Sequence, residues 1–448
     1  DGGKQRRFTT LWWQAGRYVE LLVETGAAPL VIERFALRET RYPLEPEGRF
    51  ECSDPRVAPA LPLMVHALQM CSHETYMDCP YYEQLMYAGD TRLEVLATYM
   101  LTRDDRLPRK ALRMFDASRL LGGFTSSRYP SRVRQVIPPF SLWWIGMVHD
   151  FATWRGDRAF VRSLMPGVRA VTDAFLGTLN ADGLVEAPSG WNYMDWVPGW
   201  KDGCPPGGDT GVSGVINWQL VNMLTRVGAL EAWMDEKELA ERAYRLAGDL
   251  AARATAAFWD ERGRLMADDL GHTTFSEHGQ CLPLLSGQVD VSVREGLAAA
   301  LRGRGDLARA TIYFSHYLFR AYNLLGFTDL FWDRLGLWFG LPGRGFKTTF
   351  EHPEPSRSDC HGWGAHPLYH FMTSVLGITP AGFAQDEIVI EPKLGPLAWA
   401  RGTLPLPAGD VVVDLRLDGA ALKGRVVLPG RLRATVVHRG QTRLLAPG

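Results

Sequence analysis

The sequence predicts a mainly α-helical protein carrying β segments at both ends. Three observations point that way. Between about residues 54 and 380 the apolar residues recur mostly with a helical period. Before residue 43 and after residue 381 the period drops to that of a strand. Clusters of Gly, Pro and Asp, such as Asn180-Ala-Asp-Gly183, cut the helical stretch into roughly a dozen runs. That number suits a double ring of antiparallel helix pairs; an ordinary bundle or an α-solenoid would also accommodate it. No repeat of constant period supports a solenoid. The 448 residues exceed a single core, and the expected division is 1–50, 51–380 and 381–448.

In chain order, Arg17-Tyr-Val-Glu-Leu-Leu-Val-Glu and Pro29-Leu-Val-Ile-Glu-Arg-Phe-Ala-Leu are β-rich runs separated by Gly26-Ala-Ala. They are too few to close a sheet and read as the last strands of an incomplete β-sandwich. Over 90–102, Leu93, Leu96, Tyr99 and Met100 mark one helix face. Over 141–155, Leu142, Ile145, Val148, Phe151 and Trp154 mark another. The stretch 237–259 is rich in Ala, Leu, Glu and Arg, which favour helix. Beyond 381, Glu387-Ile-Val-Ile-Glu, Asp410-Val-Val-Val-Asp-Leu-Arg-Leu and Leu432-Arg-Ala-Thr-Val-Val alternate as strands. Gly409, Gly419 and Gly430 punctuate them, which predicts a small antiparallel β-domain.

Composition excludes several classes. Hydrophobic residues make up 46% and charged residues 22%, with a net charge of −1, so no polyanion partner such as nucleic acid is expected. No apolar run is long enough to span a membrane. The six cysteines are scattered without a C-x-x-C pair, so free thiols are expected rather than a zinc or redox site. The start, Asp1-Gly-Gly-Lys-Gln, lacks signal-peptide character and reads as a cut point inside a longer protein. Location is therefore open, with the cytoplasm as the default, and the oligomeric state is open too. The 15 Trp and 14 Tyr are suggestive, because sugar C–H faces pack on aromatic rings, although a large helical core also uses Trp for volume.

Three constellations carry candidate chemistry. In the first, Asp78-Cys-Pro-Tyr-Tyr-Glu83-Gln-Leu-Met-Tyr87-Ala-Gly-Asp90, Pro80 argues for a loop before a helix. Asp90 sits where a helix N-cap would, and capping explains it as well as a functional role does. Glu83 lies among Tyr81, Tyr82, Leu85 and Met86. Desolvation there is expected to favour the protonated carboxyl that a general acid needs. The second constellation runs from Gly345 to Pro367 and holds Glu351, His352, Glu354, Arg357, Asp359, His361, Trp363 and His366. Its prolines and glycines make it a loop, and loops dense in polar and aromatic residues are where sites lie. The spacing of His352, His361 and His366 does not match H-E-x-x-H, which argues against zinc. The third, 189–202, contains Trp191, Tyr193, Asp195, Trp196 and Trp200 off any helical stripe, as a loop lining a sugar subsite would be.

The segment Asp78-Cys-Pro-x-x-Glu83 with Gly89-Asp90 resembles the signature of the bacterial and fungal α-L-rhamnosidase family. Thr349-Phe-Glu351 and Ser358-Asp-Cys-His361-Gly-Trp-x-x-His-Pro resemble it too. The resemblance covers nearly the whole chain. It implies an (α/α)6 barrel and glycoside hydrolysis with inversion, Glu83 being the general acid and Glu351 the general base. It implies that Asp78 and Asp90 hold sugar hydroxyls and that His361 contacts the sugar. Tyr87, Trp191, Asp195, Trp196 and Trp363 are further substrate-binding candidates, the aromatics as walls for the sugar methyl and Asp195 for a hydroxyl. Tyr87 stands where many members have Trp. The expected partner is a rhamnosylated small molecule or oligosaccharide, with no cofactor and no metal. The competing expectations are another exo-glycosidase on the same barrel, for a fucoside, glucuronide or other hexoside, and a non-catalytic carbohydrate-binding protein.

Overall fold

The structure is a computed structural model that describes residues 4–419 and 421–445. Its helices are α1 (Val57–Met70), α2 (Ala88–Leu101), α3 (Arg106–Ala117), α4 (Pro138–Arg155), α5 (Arg158–Leu176), α6 (Gly214–Trp233), α7 (Lys237–Phe258), α8 (Glu277–Ser286), α9 (Val291–Gly303), α10 (Ser315–Leu325), α11 (Thr328–Arg334), α12 (Gly336–Phe339) and α13 (Pro367–His370). The last of these runs on into a π-helical turn, Phe371–Val375.

Two burial patterns divide the helices into rings. All 14 residues of α2 are buried, and α4, α6 and α8 are buried nearly all round. In contrast α3, α5, α7 and α9 bury one stripe, as in Leu107, Ala111, Leu112 and Phe115 of α3, and turn charge to solvent. The all-buried helices contact one another in the order α2, α4, α6, α8, α10, and α13 packs back on α2 to close the ring. The striped helices lie outside as their hairpin partners, an (α/α)6 barrel. Local chemistry ends the helices. Asp157, Ser276 and Asp290 cap the N-termini of α5, α8 and α9 by accepting from Phe160, Gly279 and Val293 N–H at 3.0, 3.1 and 2.8 Å. Gly156 and Gly326, at positive φ, close α4 and α10.

The C-terminal region supplies two four-stranded sheets. One runs β1 (Arg49–Cys52), β6 (Trp399–Leu406), β7 (Gly409–Asp418), β8 (Ala421–Val427), antiparallel throughout. The other contains β4 (Ile378–Pro380), β5 (Glu387–Ile390), β9 (Arg433–His438) and β10 (Gln441–Leu445) in the order β10-β9-β5-β4. Its β5–β9 pair is parallel, unlike the wholly antiparallel domain expected. A two-residue ladder, β2 (Trp259–Asp260) with β3 (Leu265–Met266), follows α7. On β7, Val411, Val413 and Leu415 point inward while Asp410, Asp414 and Arg416 point out, the alternation visible in the sequence. Arg103 bridges barrel and sheet, pairing with Glu47 and Asp410 and donating to the Leu406 carbonyl at 3.1 Å.

The strands expected within 8–42 do not form. Residues 4–48 carry no strand; the stretch is extended and largely exposed, Val19, Leu21, Val31 and Phe35 included. A strand needs a hydrogen-bonding neighbour, and no described segment offers these runs an edge. The first strand is β1, which pairs with β6 from the far end of the chain. No helix is long and apolar enough to cross a membrane among the described residues.

Candidate active site

Three connections meet over the N-terminal turn of α2: residues 71–87 before it, the 189–202 loop, and the 345–366 loop. They are tied together directly. Gly362 N–H donates to the Asp78 carbonyl at 2.8 Å. The Trp196 indole donates to Glu351 Oε1 at 3.1 Å, and the Trp363 indole to the Glu351 carbonyl at 2.8 Å. Two glycines permit this closeness. A Cβ at Gly89 would lie 2.4 Å from the Phe140 ring and 2.6 Å from the Tyr313 hydroxyl, and one at Gly362 would lie 1.9 Å from Glu94 Oε1.

Glu83 leaves the turn that follows Pro80 and is half-buried. Tyr87 donates its hydroxyl to Glu83 Oε2 at 2.8 Å, and Arg357 forms an ion pair with Oε1. Burial pushes the Glu83 carboxyl up, but the Arg357 and Tyr87 hydrogen bonds and the Arg357 and His361 charges outweigh it. The net position is below the ordinary carboxylate range. This corrects the expectation of a protonated Glu83: its sequence neighbours foretold burial, and a cation from far along the chain reverses the consequence.

Glu351 is buried. Its N–H donates to the Ser358 carbonyl at 2.9 Å, which folds the loop back on itself, and Oε2 has no partner among the described residues. His361 lies between the two glutamates electrically. Its Nε2 is 3.1 Å from Asp90 Oδ1. Burial pulls its pKa down, but the bond to Asp90 and the charges of Glu351, Asp90 and Asp78 raise it to about 9, so the ring is a cation at neutral pH. Asp90 sits inside the first turn of α2 rather than capping it, since the cap residue is Tyr87. Burial raises the Asp90 carboxyl and the His361 partnership limits the rise.

Asp78 is brought to the same place but is already engaged. It accepts from Leu85 N–H at 3.0 Å and from the Cys79 thiol at 3.2 Å. Burial raises its pKa to about 7. Asp78, Cys79 and His361 offer potential ligand atoms within 4.8 Å of one another. Burial and the Asp78 charge push the Cys79 thiol up to about 12, so the thiolate a metal needs is disfavoured. Trp191, Tyr193 and Trp196 pack together, with ring centroids of Tyr193 and Trp196 4.9 Å apart and of Trp191 and Tyr193 5.1 Å apart. Tyr313 continues this wall to Trp363 at 4.7 Å.

Asp195 departs from its expected role as a sugar ligand. It is fully buried, 2.9 Å from His278 Nε2, and accepts from Thr311 N–H at 2.7 Å, from the Thr311 hydroxyl and from Trp196 N–H at 2.9 Å. Every lone pair facing these groups is used, so Asp195 anchors the aromatic loop to α8 and to the segment before α10. Four residues at the site escaped selection from sequence: Arg357, Tyr193, Tyr313 and Glu94. Glu94 follows Asp90 by one helical turn, a spacing that was available as a signal. Both its carboxyl oxygens lack partners among the described residues, and burial drives its pKa well up. The six cysteines are free.

The profile of the bacterial α-L-rhamnosidase six-hairpin glycosidase domain matches residues 45–310. Among solved structures, the GH78 family rhamnosidase of Bacillus sp. GL1 superposes with a TM-score of 0.82 at 25% identity, over 89% of this chain and 43% of that one. The α-L-rhamnosidase of Aspergillus terreus gives 0.78 at 19% identity, over 90% and 50%. That of Streptomyces avermitilis, complexed with L-rhamnose, gives 0.71 at 16%, over 87% and 38%. This chain thus spans half or less of the length of these proteins. No curated protein sequence matches it.

Proposed function

Because the chain belongs to the bacterial α-L-rhamnosidase six-hairpin glycosidase family, we propose that it hydrolyses terminal α-L-rhamnosides with inversion, Glu83 serving as general acid and Glu351 as general base. The supporting observation is that two glutamates from distant segments share one charged cluster, each coupled to both Arg357 and His361. The L-rhamnose complex of the S. avermitilis relative makes that sugar the first ligand to test. Residues 51–380 would form the catalytic unit and 381–448 a supporting β-domain.

The chemistry follows from the surroundings. Glu83 donates a proton to the glycosidic oxygen as the bond from C1 to that oxygen breaks. A water adds from the opposite face of the ring and gives its proton to Glu351 Oε2, the oxygen without a partner, while Trp196 holds Oε1 in place. Inverting pairs stand about 6.5–9.5 Å apart to admit that water. In the ligand-free site Glu83 is ionised, so Arg357 must release it before it acts. An entering aglycone that displaces the guanidinium would let the carboxyl take up a proton. His361 and Asp90 would bind sugar hydroxyls, and Trp196, Tyr193, Tyr313 and Trp363 would face the sugar methyl.

The test is hydrolysis of p-nitrophenyl α-L-rhamnoside followed by proton NMR, with β-L-rhamnose expected as the first-formed product. Faster hydrolysis of a fucoside or glucuronide in the same panel would reassign the substrate. The α-anomer appearing first would overturn the inverting mechanism.

A further inference from the structure

We infer that His316, His366 and His370 form a three-imidazole site for a zinc-class transition-metal dication, which fastens α10 to the segment following the site loop. His366, the N-cap of α13, and His370, its last residue, are four residues apart and so lie on one side of that turn, and His316 faces them from α10. The ring centroids are 5.0, 5.7 and 5.9 Å apart, and one ligand atom from each lies within 4.8 Å of the others. The set differs from the His352, His361 and His366 grouping that spacing argued against. It joins His366 to residues of two helices.

The hydrogen bonds bring ring nitrogens of the three histidines toward one another and fix the tautomer of His366. His366 Nε2 lies 2.9 Å from the Ile312 carbonyl, which only accepts, so Nε2 bears the hydrogen and Nδ1 the lone pair. That Nδ1 has no partner among the described residues. His370 Nδ1 lies 3.1 Å from Ser374 Oγ, and its Nε2 lies 3.1 Å from His316 Nδ1, a hydrogen bond whose proton a metal ion would displace, leaving the hydrogens on the outer nitrogens of the two rings. A carbonyl or hydroxyl behind an imidazole is how metal-binding histidines are fixed. All three rings are fully buried and walled by Phe319, Trp338 and Tyr369. Arg92, near His316, is ion-paired with Asp150 at 2.8 Å. An all-nitrogen set suits zinc, copper, nickel or cobalt and not calcium or magnesium. Zinc–nitrogen bonds of about 2.0–2.1 Å at tetrahedral angles put ligand atoms roughly 3.3 Å apart. The His316–His370 gap of 3.1 Å is close to that already, and a His366 ring nitrogen lies within 4.8 Å of a ligand atom of each.

The experiment uses the whole chain purified without a nickel column or polyhistidine tag. Metal content is measured by plasma mass spectrometry, before and after unfolding with a chelator and refolding with excess zinc or cobalt(II). We expect about one metal per chain, a higher melting temperature with zinc than with chelator, and the intense visible bands of low-coordinate cobalt. His366→Gln and His370→Gln should weaken zinc binding by more than 10–100-fold, and Ser374→Ala, which touches only the outer partner, by about tenfold. Should the histidine variants fail to fold, the wild-type cobalt protein decides. Its proton NMR should show three hyperfine-shifted exchangeable imidazole N–H signals, one from each histidine. Absence of stoichiometric metal after refolding, undiminished metal in the folded variants, or a cobalt spectrum without coordinated imidazole overturns the site. None of these readouts depends on glycosidase activity.

Discussion

On one side of the site Glu83, with a quarter of its side chain exposed, is held between a guanidinium and a phenol. On the other, Glu351 is buried, takes a single indole N–H, and keeps one oxygen without a partner among the described residues. Under the proposed assignment, the difference lets one residue type serve two roles. The proposed acid is held by a cation on a long, flexible stem, and the proposed base by an aromatic indole. On that reading, protonation of Glu83 depends on what occupies the site.

The sharpest way to break this comparison is to vary the leaving group. Glu351→Gln should lower kcat by about 10²–10⁴-fold on nitrophenyl and alkyl rhamnosides alike, since both need an activated water. Glu83→Gln should cost as much on an alkyl rhamnoside but only roughly tenfold on the nitrophenyl one, whose leaving group needs little protonation. Steady-state rates on the two substrates check this. Equal losses for both variants on both substrates would merge the two roles.

A smaller effect is expected at Trp196. Trp196→Phe keeps the wall and removes only the donor to Glu351. A hydrogen bond to a charged group is worth about 1.5–3 kcal/mol, so kcat should fall roughly 10–100-fold with KM nearly unchanged. A large rise in KM with kcat intact would make Trp196 a sugar platform and nothing more.

Arg357→Gln probes the acid side without touching Glu83. Glu83 must carry its proton to act, so kcat/KM falls as pH rises through its pKa. Arg357 holds that pKa low, and its removal should move the alkaline limb to higher pH. Arg357 makes no hydrogen bond to Glu351 among the described residues, so the alkaline limb is where the change should show. A profile of kcat/KM against pH for both proteins reads this directly. An alkaline limb that stays in place would remove Arg357 from control of the acid.

The same contrast explains what the sequence disclosed. Helix-favouring composition disclosed the outer helix α7 over 237–259, whereas periodicity was the signal for the inner helices α2 and α4. Periodicity revealed α2 only in part: Leu93, Leu96, Tyr99 and Met100 marked one face of a helix buried on every side, Arg92 and Glu94 included. The motifs carrying Glu83, Asp90, Glu351 and His361 were legible, and those residues do converge. Pairings across hundreds of residues were not. β1 finds β6, Arg357 finds Glu83 and Asp195 finds Thr311, and nothing in the local sequence encodes a distant partner. For the same reason the alternating runs at 17–24 and 29–37 read as strands: alternation expresses a preference, and a sheet requires a neighbour.

The smallest predicted effect concerns how the two sides are held together. His361 has a folded pKa of about 9 against an ordinary 6.5. A raised histidine contributes stability that is fully present below 6.5 and is lost as pH climbs through 9. Asp78, raised from 3.8 to about 7, completes its own loss at lower pH, while Asp268, raised to about 8, and Glu94, also raised, decline in wild type and variant alike, so the histidine is read from the difference between the two proteins. The wild-type melting temperature should therefore decline across pH 7–9. In His361→Asn it should start lower, because Asp90 and Asp78 lose their cation, and then decline less steeply than in wild type over that interval. Parallel slopes would mean that the imidazolium does not bridge the acid and base sides, leaving Glu83 and Glu351 linked through Arg357 alone.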